Sequence, residues 1–152
     1  MAKRQVDTMS LGVGIATGLY GISFGALAVS AGLDLWQTQL LSLLMFSGGS
    51  QFAFIGVVAS GGLASLPAAI ASAWLLGIRN GFYALQMKPL LALLPFKVPF
   101  AAQLTIDEST GVATAQTGSD DTKRGFWLTG VFVFIFWNSL TFAGALLGNS
   151  LA

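Results

Sequence analysis

The residues best able to do chemistry in this sequence are two adjacent acids and an arginine beside an amide. Asp107 and Glu108 lie on the apolar-flanked segment 104–110, and Arg79 precedes Asn80 within a long apolar stretch. Because the chain has no histidine and no cysteine, proton chemistry must use carboxylates, lysine or tyrosine. Asp107 and Glu108 are therefore candidates for ion coupling, and Arg79 and Asn80 are candidates for substrate binding.

A second candidate site is the polar run FSGGSQF at residues 46–52, which interrupts an otherwise apolar block. Two adjacent glycines and three polar residues there predict a broken or unwound helix. Irregular backbone at membrane depth is tolerated only where protein or a water-filled cavity satisfies its polar groups. Discontinuous helices of this kind build transporter binding sites, so we interpret Gly48, Gly49, Ser50 and Gln51 as substrate-binding candidates. Tight helix packing through small residues is the alternative.

Each charged candidate also has a structural interpretation. A turn at Asn80-Gly81 between two short helices would place Arg79 near the lipid headgroups, where long cationic side chains extend towards water. Asp107 or Glu108 would then cap an interfacial helix or form a salt bridge. The sequence leaves both interpretations open.

Several functional classes are excluded or disfavoured by composition. Without histidine and cysteine, the sequence predicts no metal site, no cofactor and no enzymatic activity based on His-containing triads. It contains no G-x-x-x-x-G-K-[ST] loop for ATP. The seven Lys and Arg residues are dispersed and the net charge is +1, so a nucleic-acid partner is not expected.

The elements that position these residues are apolar helices. The chain is 55% hydrophobic and only 9% charged, too few charges to cover a soluble surface, so its solvent is lipid. We predict an all-α, polytopic transmembrane helical bundle with discontinuous helices. Its single transporter domain, expected to be incomplete, has predicted spans at about 11–31, 40–60, 66–94 (broken or double) and 125–148, with a polar loop at 95–124.

The first predicted span carries a row of small residues on one helical face. Gly14, Gly18, Gly21 and Gly25 recur at alternating four- and three-residue spacing. Glycines in this arrangement let another helix approach closely. We predict that the row is a helix-packing seam; a substrate-facing surface is the alternative.

Four motifs in order make the sequence resemble the AzlC family, the larger subunit of bacterial branched-chain amino acid exporters. The motifs are GISFGALA at 21–28, FSGGSQF at 46–52, IRNGFY at 78–83 and TIDES at 105–109. Family members commonly have Arg-His where this chain has Arg79-Asn80, so any role of that histidine is absent. Members also usually continue with further spans, so the chain resembles the N-terminal two-thirds of one.

The resemblance implies a multi-pass secondary exporter of branched-chain or related hydrophobic amino acids in the bacterial cytoplasmic (inner) membrane. It also implies a small membrane partner of the AzlD type. Since no ATP motif is present, an ion gradient is the expected driving force. A passive channel, an uptake permease for small solutes and a non-transporting scaffold subunit remain alternatives, although polar, broken spans favour transport over scaffolding.

Overall fold

A computed structural model describes residues 2–151, with side chains described for residues 3–150. Within this range the chain is helical and contains no strand, which confirms the all-α prediction. The α-helices are α1 (Ala2–Ser30), α2 (Leu35–Leu44), α3 (Gly48–Gly61), α4 (Leu66–Leu91), α5 (Val98–Leu104), α6 (Asp107–Thr114) and α7 (Ser119–Leu151). Short 3-10 turns, Gly62–Ser65 and Pro95–Lys97, precede α4 and α5.

The two longest helices, α1 and α7, pack together along most of their length. The close approach uses the predicted row of small residues: Gly14, Gly18, Gly21 and Gly25. A Cβ atom added at Gly14 would lie 2.6 Å from the Cβ of Phe132, and one at Gly21 would lie 2.7 Å from the carbonyl oxygen of Trp137. Contacts advance in the same direction along both helices, so α1 and α7 run parallel.

Helices α2 and α3 form a hairpin that enters beside the end of α1 and turns back near the middle of α7. Asp34 caps α2 by accepting a hydrogen bond from the backbone N–H of Gln37. At the hairpin tip, the Phe46 ring packs edge-on against Phe134, with ring centroids 5.0 Å apart. Helix α3 then returns, and Val58 lines the same surface groove as Leu33 from the α1–α2 connection. Residues 40–60 therefore form two helices of a hairpin rather than one straight helix, in agreement with the predicted interruption.

The interruption in this hairpin lies slightly earlier than predicted. Residues 45–47 are the non-helical link, whereas Gly48, Gly49, Ser50 and Gln51 form the first turn of α3. The extended backbone of Ser47 (φ −156°, ψ 102°) makes the reversal. The glycines follow the break because neighbouring side chains approach the backbone there: a Cβ at Gly48 would lie 3.0 Å from Trp137.

Helix α4 is continuous through Arg79, Asn80 and Gly81, so the predicted break at these residues is wrong. An internal asparagine or glycine costs only about 1 kcal/mol relative to alanine, which packing against α3 offsets. Close contacts between Ser50 and Gly77 show that α3 and α4 are antiparallel. Arg79 consequently lies halfway along α4.

The predicted polar loop 95–124 is largely helical and forms a second hairpin, α5–α6. Pro95 and Pro99 occupy starting positions of helical segments, where a missing N–H costs little. Leu104 packs on Gly130, while Val112 packs on Gly125, so this hairpin advances along α7 and then returns. The α5–α6 hairpin approaches the middle of α7 from the N-terminal half of that helix, whereas the α2–α3 hairpin approaches it from the C-terminal half.

Three helical stretches are long and apolar enough to cross a membrane: Lys3–Ser30, Gly48–Leu91 and Ser119–Ser150. The middle stretch contains both α3 and α4 and folds back on itself. The two hairpin tips lie between these long helices.

Candidate functional site

The hairpin tips meet beside α7 and are joined by side-chain amides. Gln103 of α5 donates from Nε2 to the carbonyl oxygen of Leu43, 2.8 Å away, at the end of α2. Gln51 donates from Nε2 to the carbonyl oxygen of Met45 at 2.6 Å. Its Oε1 accepts a hydrogen bond from Nε1 of Trp137 at 2.9 Å. Carbonyl groups at and just after the end of α2, those of Leu43 and Met45, thus accept hydrogen bonds from side-chain amides.

Gln51, one of the predicted substrate-binding residues, faces the protein interior. Its side chain is fully buried, and its amide links the broken end of α2 to α7. It does not line the cavity between the hairpin tips. The structure places Gln51 in the packing that holds the break.

The opposite side of the break, the start of α3, is left open. The first N–H groups of a helix have no intrahelical acceptor, and the Ser47 side chain makes no capping bond to them. Gly48 and Gly49, which carry two of these groups, line a cavity of about 80 Å³ between the hairpin tips. The positive end of the α3 dipole favours an anion there.

Arg79 and Asp107 form an ion pair in this cavity and join α4 to the start of α6. The distance from Nη2 of Arg79 to Oδ2 of Asp107 is 2.9 Å, and the two side chains are 42% and 40% exposed. Among residues 2–151, Nε of Arg79 and Oδ1 of Asp107 are buried polar atoms without a hydrogen-bond partner. Buried polar atoms are normally satisfied, so each member of the pair retains capacity for a further polar partner.

Gly49 determines how closely Arg79 approaches α3. A Cβ at this position would lie 3.0 Å from Nη2 of Arg79, closer than ordinary van der Waals contact. The guanidinium therefore sits against the backbone at the start of α3. This position is electrostatically unfavourable for a cation, because a helix N-terminus is positive. Asp107 supplies the opposing negative charge.

Glu108, the second acid, lies on the other side of the same cavity near Thr17 of α1. Burial away from water raises the pKa of the Glu108 carboxyl, and the negative charge of Asp107 adds to this effect. The Glu108 backbone, the nearby Thr17 side chain and the charge of Arg79 lower this pKa but only partly offset the burial. The two adjacent acids therefore have different surroundings: Asp107 pairs with a cation, whereas Glu108 is desolvated.

The structure thus gathers most of the predicted site residues around one cavity: Gly48, Gly49, Arg79, Asn80, Asp107 and Glu108. Sequence reasoning missed its remaining walls, which include Thr17, Phe46, Val133 and Trp137. These residues look like ordinary members of apolar spans. The only available signal was Trp137-Asn138, an amphipathic and a polar residue within the last apolar block.

Ser50, the remaining candidate, faces a second space, which we call the apolar groove. This groove of about 580 Å³ lies between the end of α2, α4 and α5, and it shares Phe46, Ser47 and Asn80 with the polar cavity. Ser50 is only 2% exposed. Its Oγ and the Oδ1 of Asn80 are buried without a hydrogen-bond partner in the described part of the chain.

Long apolar helices around a small charged cavity define a helical membrane protein with a polar site where two helical hairpins meet. The chain belongs to the AzlC family, whose model, described as AzlC protein, matches residues 12–151. It is therefore a membrane protein related to branched-chain amino acid transport, and its family works with a partner subunit. No curated protein and no solved structure matches the sequence.

Proposed function

We propose that this chain is the larger subunit of a secondary exporter of branched-chain or related hydrophobic amino acids in the bacterial cytoplasmic membrane. The proposal includes a small AzlD-type partner subunit and an ion gradient as driving force, without enzymatic activity or a cofactor. The observation that carries it is the Arg79–Asp107 pair, which joins α4 and α6 beside the open start of α3. Charged side chains among apolar membrane-spanning helices are energetically costly, so they are candidates for a function.

The charges of the cavity suit a zwitterion. The carboxylate of an amino acid fits the N–H groups of Gly48 and Gly49 together with Arg79, because all of them favour an anion. The ammonium group fits Asp107, whose Oδ1 has no other partner among residues 2–151. A zwitterion inserted between Arg79 and Asp107 would replace each partner of the ion pair.

This replacement suggests how binding is linked to movement. Helix α6 is joined to α4 through Asp107 and Arg79. Separating the pair without a ligand would leave both charges without an opposite partner among apolar helices, which is unfavourable. With a zwitterion bound, both charges keep an opposite partner as the α5–α6 hairpin moves. Alternating access by such movements around a central site is the usual mechanism of secondary transporters.

Glu108 is the proposed proton-coupling group. It lines the cavity, and the elements packed around it contribute Asp107 from α6 and Arg79 from α4, while Tyr83 of α4 interacts with Asp107. Protonation neutralises one of the two acids, which leaves one cation and one anion to face the zwitterion. Because burial raises its pKa, Glu108 holds a proton at higher pH than an exposed glutamate does.

Efflux from membrane vesicles tests the proposal. Vesicles containing the chain with its small partner subunit, loaded with labelled leucine, should release leucine faster than vesicles without the chain, and an imposed pH gradient should alter the rate. Arg79→Gln should reduce efflux about tenfold or more, because a hydrogen bond to a charged group contributes roughly 1.5–3 kcal/mol.

The chain offers a matched control for this substitution. Arg124 forms a second ion pair with Asp7 at a distance of 2.6 Å, with similar exposure of 43% and 41%, near the starts of α7 and α1. Arg124→Gln removes an equivalent pair away from the cavity and should leave efflux nearly unchanged. Equal loss in both variants would assign Arg79 a purely structural role, and leucine release that never depends on the chain would refute the transport proposal.

A further inference from the structure

The apolar groove adjoins the polar cavity but differs from it in chemistry. Where the two meet, they share Phe46, Ser47 and Asn80. Beyond that boundary the groove wall is mainly apolar and includes Leu44, Ile70, Ala73, Trp74 and Ile78. A polar space and an apolar space thus lie side by side and share three lining residues.

Resting on the proposed function, we propose that the apolar groove binds the side chain of the transported amino acid while the polar cavity binds its ammonium and carboxylate groups. The two spaces match the two halves of such a molecule, one charged and one hydrocarbon. Burial of hydrocarbon contributes about 25 cal/mol per Å², so this groove would supply affinity for hydrophobic side chains.

The volumes support this assignment. Small-molecule pockets in proteins usually measure about 300–1,000 Å³. The polar cavity, at about 80 Å³, is too small to hold a whole hydrophobic amino acid, whereas the groove adds about 580 Å³. This space exceeds the needs of a valine or leucine side chain. We therefore expect the wild-type chain to accept phenylalanine as well as branched-chain substrates.

Unsatisfied polar atoms lie where the main chain of the substrate would pass from one space to the other. Oγ of Ser50 and Oδ1 of Asn80 are buried and unpartnered within residues 2–151. A hydroxyl group can donate and accept, while an amide oxygen accepts. Both groups can therefore hydrogen-bond the amino acid near its Cα atom, which orients the side chain towards the groove.

Gly77 lines this groove where α4 contacts α3. It lies one helical turn after Ala73 on the face of α4 that meets α3, and a Cβ there would lie 3.4 Å from Oγ of Ser50. That distance is an ordinary contact, so a small side chain fits. A branched side chain at this position would project into the space that we assign to the substrate. Gly77 is thus a specificity-determining residue in this proposal.

Competition between amino acids of different size tests the assignment. Vesicles containing the chain and its small partner subunit are loaded with equal amounts of labelled valine, leucine and phenylalanine. In Gly77→Val, the ratio of phenylalanine to valine efflux should fall about tenfold or more, because loss of space for a single methylene already changes selectivity about 10–200-fold. Leucine efflux should fall less than phenylalanine efflux.

A second variant alters the outer wall of the groove and should leave folding unaffected. Trp74 is 74% exposed and forms part of the groove wall, so Trp74→Ala removes apolar contact without disturbing the core. It should also lower the ratio of phenylalanine to valine efflux. The control is Leu75→Ala on the same helix, because Leu75 is 69% exposed and lies outside the groove, so the ratio should stay at the wild-type value.

The outcomes separate this proposal from the proposed function. If the wild-type chain exports none of the three amino acids, the proposed function fails and the side-chain subsite fails with it. If the wild type exports them but Trp74→Ala and Gly77→Val keep wild-type ratios, only the subsite is refuted. A uniform loss for all three substrates in both variants would also refute it, because a specificity site must discriminate by size.

Discussion

Replacing Gly49 by alanine should impair transport while leaving the fold as stable as before or slightly more stable. A Cβ at this position would lie 3.0 Å from Nη2 of Arg79, whereas carbon prefers contacts of about 3.5–4.0 Å. The guanidinium must therefore move by about 0.5–1 Å. A displacement of this size alters the geometry of the 2.9 Å hydrogen bond to Asp107, which weakens steeply away from its optimal distance and angle.

The expected magnitudes have opposite signs for function and stability. Loss of a charge-assisted hydrogen bond costs roughly 1.5–3 kcal/mol, which corresponds to about 10–150-fold in efflux if the pair acts in the rate-limiting state. Alanine within a helix is about 0.5–1 kcal/mol more favourable than glycine. The atom that must move is the end of a flexible side chain, so little packing energy is lost. Thermal unfolding in detergent should therefore give an equal or higher midpoint.

Gly56→Ala is the matched control for this experiment. It makes the same substitution in the same helix, but a Cβ at Gly56 would meet no atom within 4 Å. Efflux should remain at the wild-type level, and stability should rise by a similar amount. Wild-type efflux in Gly49→Ala would refute the idea that the position of the Arg79 guanidinium limits transport.

Three further predictions concern the seam, the break and the buried acid. Gly144→Leu should lower the stability of the fold by about 1–3 kcal/mol or more, because a Cβ at Gly144 would overlap the backbone of Ile22. The control is Gly12→Leu, which should be neutral because a Cβ at Gly12 meets no atom within 4 Å. The yield of folded protein measures both effects. Gln51→Leu leaves buried hydrogen-bonding groups unpaired and should lower stability by roughly 1–3 kcal/mol for each, measured by thermal unfolding. Burial raises the pKa of Glu108, so the stabilising contribution of its neutral carboxyl is complete at low pH and is lost as pH rises through that pKa. The unfolding midpoint of the wild-type chain should therefore fall over this pH range, whereas that of Glu108→Gln should not show this fall. Identical pH profiles for the two proteins would contradict the prediction.

Composition was sufficient to predict the helical membrane fold, and the resemblance was sufficient to predict the family. The low charge content excludes a soluble surface, and the row of glycines identifies the α1 face that meets α7. Composition and short-range residue spacing are enough to identify these features. They do not depend on which distant segments come together.

The errors concern features that distant contacts decide. Helix α4 continues through Asn80 and Gly81 because local propensities are weak compared with packing against α3. The α5–α6 hairpin occupies the predicted polar loop, since nothing local in the sequence indicates that Gln103 hydrogen-bonds Leu43, 60 residues earlier. The same limitation hid Thr17 and Trp137, whose role in the cavity wall depends on the parallel packing of α1 and α7.

The two sides of the break at residues 45–47 differ in a way that separates structure from function. A broken helix exposes carbonyl groups at one end and N–H groups at the other. Here Gln51 and Gln103 donate hydrogen bonds to carbonyl oxygens of Ser42, Leu43 and Met45 on the carbonyl side. The N–H side has no side-chain cap and borders a cavity in which Arg79 also retains an unpaired donor among the described residues. The uncapped, positive end of α3 beside the Arg79 guanidinium therefore favours an anionic group of a ligand at this side of the break.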